Sequence, residues 1–319
     1  MGLDMMSLPS RRQSTLDAVD DAQLMAELEP TAVQLYERHM STAKEWFPHE
    51  MVPWSRGSDY AADEVWDPDT MKLCDGARSA LFLNILTEDN LPHYYRQING
   101  KFGNDDVWGE WNRRWTAEEG RHAIVIRDYL AVTRSIDMRE LERARMRQVS
   151  MGLVPDPDSI ADGIVYVALQ ELATRISHRN TGKLLNDPQG AAIMSRVAAD
   201  ENLHHLFYRD LVSAALEIDP SGMVAAIERQ VRSFEMPGAG IEDFKTHARV
   251  VAEAGVYDFA SHHDQILVPV VFKHWRVEQL QNLKSAAEVA RERLVKHVEK
   301  VGNVAKRMKS RLRPRPVTA

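Results

Sequence analysis

The chain of 319 residues contains a single cysteine, Cys74. One cysteine cannot form a disulfide within the chain, and it cannot supply the several thiolates that hold an iron–sulfur cluster. Long apolar runs are also missing, since stretches such as residues 266–272 fall far short of the roughly 20 residues that a membrane span needs. Electrons for any redox chemistry must therefore come from another molecule.

The first residues lack the apolar stretch of a secretory signal, although they carry Arg11 and Arg12. This absence predicts a cytoplasmic protein. Residues 1–15 are expected to be disordered and residues 16–300 to form one domain. The formal net charge of −7 argues against a nucleic-acid-binding protein.

Positive charge is concentrated in two places. The first is the acid-free segment 301–319, which we expect to be a basic, solvated tail, with weak contact to a membrane or an acidic partner as the alternative. The second is a short predicted helix with four arginines, which is either a plain solvent-exposed face or a docking surface for an acidic carrier protein. These arginines are Arg139, Arg143, Arg145 and Arg147.

Apolar residues recur at helical spacing along almost the whole chain, and strand signals are scarce. This pattern predicts an all-α fold, in which turn-forming pairs such as Asp187-Pro188 and Asp219-Pro220 separate the helices. A short strand is predicted only for Val268 to Phe272. The predicted helices cover residues 16–43, 69–99, 104–135, 138–150, 159–185, 188–217, 220–234, 240–255 and 276–309.

Two Glu-x-x-His sequences, at residues 119–122 and 201–204, lie inside long predicted helices. Each follows another helical glutamate, 31 and 30 residues upstream, so one unit is repeated with pseudo-two-fold symmetry. A spacing of three puts carboxylate and imidazole on one helix face. Four-helix bundles with paired iron or manganese ions use this set, one Glu from each of two helices and a Glu-x-x-His pair from each of the others. The predicted metal ligands are Glu88, Glu119, His122, Glu171, Glu201 and His204.

Neighbouring residues offer alternative ligands one position away from three of these six. The chosen set is favoured because it preserves both pairs at a spacing of three, and because its four carboxylates offset the charge of two divalent ions. Chance is the remaining explanation, since the composition alone gives about one Glu-x-x-His match. The alternative ligands are Asp89 for Glu88, Glu118 for Glu119 and His205 for His204.

Longer motifs surround the predicted ligands: LTEDNLP at 86–92, WTAEEGRH at 115–122, QELATRISHRNT at 170–181 and DENLH at 200–204. With WFPHEMVP at 46–53, they resemble the soluble acyl-acyl-carrier-protein desaturases, a di-iron family related to stearoyl-carrier-protein desaturase and found in plastids and actinobacteria. The likeness runs from about Trp46 to Trp275. One departure is Gly120, where the family usually has Asn.

The resemblance implies a ferritin-like four-helix di-iron bundle with additional helices. It implies that two irons and O2 introduce a cis double bond into a long saturated acyl chain on acyl carrier protein, with electrons from a ferredoxin-type donor. A homodimer is also implied. Chain length and double-bond position depend on a tunnel that no motif describes.

Three further residues take roles from the resemblance, and each also has a plainer explanation. Trp46 would lie on the electron route, or it could be ordinary packing. Asp200 would connect that route to the metal site, or it could face solvent. Thr174 would act near bound oxygen, or its hydroxyl could bond back to the Gln170 carbonyl.

Other functions use similar ligands. A ribonucleotide-reductase radical subunit needs a tyrosine beside the irons, for which Tyr129 and Tyr166 are candidates by helix position only. An iron-storage protein is usually a shorter chain. A hydroxylating or non-catalytic di-iron paralogue would keep the same ligands, so these alternatives stay open.

Overall fold

The computed structural model describes residues 19–71, 73–238 and 240–312, without the side chains of residues 311 and 312. None of these residues lies in a β-strand, in agreement with the predicted all-α fold. The expected disorder of residues 1–15 falls outside the described ranges. The helices are α1 (Asp21–Thr42), α2 (Pro48–Met51), α3 (Asp75–Glu88), α4 (Leu91–Phe102), α5 (Asp106–Thr133), α6 (Met138–Met151), α7 (Ile160–Leu184), α8 (Pro188–Ile218), α9 (Pro220–Arg232), α10 (Phe244–Glu253), α11 (Phe259–His262) and α12 (Ser285–Leu312).

Four helices form a closed ring, because α3 contacts α5 and α7, and α8 contacts the same two. The pair α7 and α8 shares the longest interface. Helix α1 covers α5, α7 and α8 on one side, while α9 packs against α7, α8 and α12. This ring is the predicted four-helix bundle, and the remaining helices are additions around it.

The break between α3 and α4 differs from the single helix predicted over 69–99. Helix α3 ends at Glu88 and α4 restarts at Leu91, with Pro92 in its first turn. A proline ring clashes with the carbonyl four residues earlier, which here belongs to Glu88, and has no N–H to bond with it. A predicted ligand therefore lies at a helix end.

The strand predicted for Val268 to Phe272 is wrong. These residues belong to a π-helical segment, His263–His274, which continues α11 and contains Pro269. Its buried residues are spaced as on a helix: Ile266, Leu267, Val270 and Val271. The β-branched composition suggested a strand, but the apolar face packs into the bundle core, and tertiary packing overrides such local preferences.

The last helix continues to Leu312, past residue 300 where the basic tail was expected to begin. Its final turns carry Lys306, Arg307 and Lys309, and the Lys309 ammonium pairs with Asp264 at 3.0 Å. Within the described ranges, no helix combines the length and apolarity that crossing a membrane requires.

Candidate metal centre

The six predicted ligands meet inside the four-helix ring. Glu88 ends α3, and the others lie near the middle of α5, α7 and α8. All six are buried. Their ligand atoms form two groups of four, and within each group the atoms lie within 4.8 Å of one another. The groups are Glu88, Glu119, His122 and Glu201, and Glu119, Glu171, Glu201 and His204.

Glu119 and Glu201 belong to both groups. Because a carboxylate has two oxygens, each of these residues can serve two ions at once. His122 Nδ1 lies 3.1 Å from Glu119 Oε2 and 3.5 Å from Glu201 Oε1. His204 Nδ1 lies 2.8 Å from Glu119 Oε1. The arrangement has the pseudo-two-fold symmetry that the repeated sequence unit predicted.

Three buried atoms at the centre make no hydrogen bond of acceptable angle, although two of them, His204 Nδ1 and Glu119 Oε1, lie only 2.8 Å apart; the third is Glu171 Oε2. Buried polar atoms are nearly always satisfied, so three unsatisfied atoms facing one another need an explanation. Four carboxylates in one buried space also require compensating positive charge. Carboxylate oxygens and imidazole nitrogens suit divalent iron or manganese, so the residues fit a pair of metal ions.

Opposite pKa shifts show how strongly the ligands interact. Burial and the nearby Glu201 carboxylate raise the pKa of Glu171 well above its usual value. Burial also acts to raise the pKa of Glu201, but hydrogen bonds from His122 and His178 outweigh it and bring that pKa well below normal. Metal ions bind the deprotonated carboxylates, so metal binding at these residues would be coupled to proton release.

Asp200, Trp46 and His122 lie together at one side of the centre. The Trp46 indole N–H donates to Asp200 Oδ2 at 2.7 Å, and His122 Nε2 lies 3.5 Å from the same oxygen. The guanidinium of Arg121 lies 3.2 Å from that oxygen and also covers the Trp46 ring. Burial acts to raise the pKa of Asp200, but the hydrogen bond with His122 and the nearby positive charges hold it below its usual value.

The comparisons with known proteins agree with this geometry. A family model described as fatty acid desaturase matches residues 20–318. DesA1 of Mycobacterium tuberculosis, named as an acyl-[acyl-carrier-protein] desaturase, is 44% identical over 284 residues, covering 86% of this chain and 84% of DesA1. The chain belongs to the acyl-[acyl-carrier-protein] desaturase family.

A solved structure and a plant relative extend the similarity to more distant members. The solved structure of the acyl-ACP desaturase DesA2 from M. tuberculosis H37Rv superposes with a TM-score of 0.66 at 28% identity, covering 81% of this chain and 96% of DesA2. The chloroplastic stearoyl-[acyl-carrier-protein] 9-desaturase 6 of Arabidopsis thaliana is 31% identical, over 77% of this chain and 67% of that protein. The predicted family, the ferritin-like all-α fold and the enzyme class are confirmed.

The alternative ligands of this desaturase do not reach the two groups. Asp89 makes two hydrogen bonds with the Arg145 guanidinium, at 3.0 and 2.8 Å. His205 Nδ1 donates to the Ala168 carbonyl at 2.7 Å. Glu118 contacts the outer nitrogen of His204, with 2.9 Å between Oε2 and Nε2.

Two histidines that the sequence analysis missed lie behind the ligands. His178 Nε2 lies 2.8 Å from Glu88 Oε1, and hydrogen bonds with Glu201 and Glu88 outweigh burial and raise its pKa to about 9. Its spacing, two helical turns after Glu171, could have indicated it. His39, on α1, lies 3.0 Å from Glu118 Oε2, and no sequence spacing connects it to the motifs.

The Thr174 hydroxyl lies beside both a metal-ligand candidate and the backbone of its own helix. Its Oγ1 lies 2.9 Å from Glu201 Oε2, and also 3.2 Å from the Gln170 carbonyl. The hydroxyls of the two tyrosine candidates bond to residues other than the predicted ligands. The Tyr129 hydroxyl donates to Asp187 at 2.8 Å, and that of Tyr166 donates to the Glu235 carbonyl at 3.3 Å.

Two cavities in the desaturase flank the metal groups, and both are lined by Thr87, Glu88, Thr174 and Pro237. The first continues between α4 and α7, where Lys101 pairs with Asp156 at 3.2 Å. The second leads towards α10 and shares lining residues with a groove between α9, α10 and α12. Those shared residues are Met236, Ala248 and Tyr257.

Proposed function

We propose that this desaturase uses two iron ions and O2 to introduce a cis double bond into a long saturated acyl chain bound to acyl carrier protein. The observation that carries the proposal is the pair of buried ligand groups joined by Glu119 and Glu201. Bound iron would supply the oxidising power for removing hydrogen from an unactivated methylene. The relatives named as acyl-[acyl-carrier-protein] desaturases support the substrate class.

The cavities support an acyl substrate whose reacting carbons are internal. Burial of each methylene contributes about 0.8 kcal/mol, so a long chain can be held without polar contacts. Apolar side chains such as Ile98, Phe102 and Val167 line the first cavity, and Leu83, Phe244 and Val251 line the second. Because Glu88 and Thr174 lie between the two cavities, a chain that occupies both would place its middle at the metals.

The residues around the ligands would control protons and electrons. The Thr174 hydroxyl can hold a proton beside Glu201, on the side that faces the cavities. The contacts from Trp46 through Asp200 to His122 favour an electron route from a ferredoxin-type donor. A donor is needed because the chain has too few cysteines for a cluster of its own.

Carrier docking on the arginines of α6 remains part of the proposal. Arg145 and Arg147 already pair with Glu142 and Glu242, which leaves Arg139 and Arg143 as exposed arginines of this helix without an ion pair among the described residues. Arg139 donates to the Ala62 carbonyl, so Arg143 is the better position for a charge reversal. We expect Arg143→Glu to raise the KM for acyl carrier protein without changing kcat. An unchanged KM would remove α6 as the docking surface. The homodimer, the cytoplasmic location and the weak membrane contact of the basic tail also stay predictions.

Mass spectrometry of stearoyl-carrier protein tests the proposed reaction. The substrate is incubated in air with iron-loaded enzyme, ferredoxin, its reductase and NADPH, and the variant Glu119→Gln serves as the matched control. Loss of two hydrogens with the wild type alone is the expected result. Gain of one oxygen would indicate a hydroxylase, and an unchanged substrate with two irons bound would favour a non-catalytic paralogue.

A further inference from the structure

We infer that Glu118 and His39 are positioning residues that orient the metal ligand His204. The inference rests on the proposed two-metal centre. Glu118 is 2% exposed, and its side chain points away from both ligand groups. Its Oε2 lies 2.9 Å from His204 Nε2 and 3.0 Å from His39 Nε2. One carboxylate oxygen therefore accepts from two imidazoles.

The hydrogen-bond direction follows from the position of His204. Its Nδ1 faces Glu119 Oε1 at 2.8 Å and Glu171 Oε2 at 3.6 Å, inside the second ligand group. Nδ1 must be free to bind metal, so the proton lies on Nε2 and is donated to Glu118. A ligating histidine held in this way by a carboxylate has its tautomer and ring orientation fixed, which strengthens metal binding.

The same arrangement occurs on the other half of the centre. Glu118 and Asp200 immediately precede the shared ligands Glu119 and Glu201, and the two pairs have the same separation of 82 residues. Each acid contacts the histidine of the opposite motif, Asp200 with His122 and Glu118 with His204. The two motifs therefore orient one another's imidazoles.

His39 occupies the place that Trp46 holds in the other half. Trp46 donates its indole N–H to Asp200, and His39 presents Nε2 to Glu118. The Trp111 ring packs edge-on against the His39 ring at 5.0 Å and limits its rotation. A leucine at position 39 would leave this space filled but would remove the donor, whereas a glutamine could still donate an amide N–H to Glu118.

A third metal site is the competing explanation, because donor atoms of His39, Glu118 and His204 also lie within 4.8 Å of one another. Two observations oppose it. His204 would need both ring nitrogens as ligands, and the Arg114 guanidinium already lies 2.6 Å from Glu118 Oε1. A further cation would therefore meet a positive charge on the same carboxylate.

Metal titration of the full-length protein separates these explanations. Stepwise affinities for Co²⁺ are measured by chelator competition, together with the Co²⁺ absorption spectrum, for the wild type and for Glu118→Gln, His39→Leu and His39→Gln. We expect two ions per wild-type chain, and about 10- to 100-fold weaker binding of one of them in Glu118→Gln and His39→Leu. His39→Gln should restore affinity close to that of the wild type.

Asp200→Asn is the matched variant on the other half. The losses of metal affinity caused by His39→Leu and Glu118→Gln should not add in the double variant, because both substitutions act on one hydrogen-bonded chain. The losses caused by His39→Leu and Asp200→Asn should add. The inference would be overturned if His39→Leu bound both ions as tightly as the wild type. It would also be overturned if every loss of affinity were matched by a lower melting temperature of the metal-free protein. Three ions in the wild type and two in His39→Leu would replace it with a metal site. A wild type that binds no metal would overturn the proposed function as well.

Discussion

Glu119 and Glu201 present carboxylate oxygens within 4.8 Å of each other, although they lie 82 residues apart in the sequence. Both residues belong to both ligand groups, whereas Glu88 and Glu171 belong to one group each. The shared pair would therefore couple two metal ions bound at these groups. Loss of a shared carboxylate should affect the whole centre, and loss of an unshared one should affect half of it.

The first prediction compares Glu201→Gln with Glu171→Gln. Glutamine keeps the size of the side chain but cannot supply a charged oxygen, so Glu201→Gln should lose most of both ions. Glu171→Gln should keep about one ion per chain, because the other ligand group is intact. Metal analysis of the purified proteins measures the difference. Equal metal content in the two variants would contradict the shared role of Glu201.

The second prediction concerns the Thr174 hydroxyl. Thr174→Val keeps the shape of the side chain and removes the bond to Glu201 Oε2, which measures 2.9 Å. Hydrogen bonds to charged groups contribute about 1.5 to 3 kcal/mol, so we expect kcat to fall about 10-fold or more. Metal content should not change. Thr174→Ser should recover most of the rate. Full activity of Thr174→Val would mean that the Thr174 hydroxyl only bonds to the backbone of its own helix.

A third prediction concerns the reduction of the centre through Trp46. The Trp46 ring stacks on the His122 ring, with 6.3 Å between the ring centroids. Trp46→Phe keeps an aromatic ring at this position but removes the N–H that donates to Asp200. Stopped-flow reduction by ferredoxin should be slower than in the wild type. Reduction by dithionite, a small reagent that needs no docking surface, should be much less affected. If reduction slowed equally with both reductants, the substitution would have altered the metal centre itself and not the electron route from ferredoxin.

The sequence predicted the six ligands because their pattern is local and repeated. In a helix, two residues at a spacing of three lie on the same face. The repetition of the whole unit makes a chance match improbable. Glu118 shared the 82-residue offset with Asp200, so its role was also present in the pattern. His39 was not predictable, because it reaches the centre from α1 by tertiary packing, with no spacing relative to the motifs.

Two local errors in the predicted fold have different physical causes. Pro92 ends α3 four residues earlier, at Glu88, and this divides one predicted helix into two. Pro269 lies inside a β-branched segment that was taken for a strand, but the segment has a buried helical face. In both places the apolar pattern was identified correctly. A local steric clash decided the backbone geometry at Glu88, and tertiary packing decided it in residues 263–274.

The fourth prediction uses two glycines in helices. A Cβ at Gly190 would lie 2.3 Å from the Tyr129 hydroxyl, which is buried and bonded to Asp187. Gly190→Ala should therefore destabilise the protein by about 1 to 3 kcal/mol through overpacking. At Gly100, within α4, no atom lies within 4 Å of an added Cβ. Gly100→Ala should stabilise by up to about 1 kcal/mol. Denaturant unfolding of both variants provides the test.

His262 gives the fifth prediction, on the pH dependence of stability. Burial, with the nearby positive charges of His297 and His263, lowers the pKa of His262 to about 4. The Tyr257 hydroxyl lies within hydrogen-bond distance of its Nδ1, at 2.8 Å. In the unfolded chain the pKa returns to 6.5. Between these pKa values the unfolded chain binds a proton that the folded protein does not, so acid favours unfolding.

The contribution of His262 is therefore fully present above pH 6.5 and is lost as the pH falls towards 4. Between pH 7.5 and pH 5, we expect the wild type to lose about 2 kcal/mol more unfolding free energy than His262→Gln. Glutamine keeps an acceptor for the Tyr257 hydroxyl and does not titrate. The metal-site carboxylates titrate in both proteins alike, so urea unfolding at the two pH values isolates His262. If both proteins lost the same unfolding free energy, the His262 imidazole would have the same pKa in the folded and unfolded states.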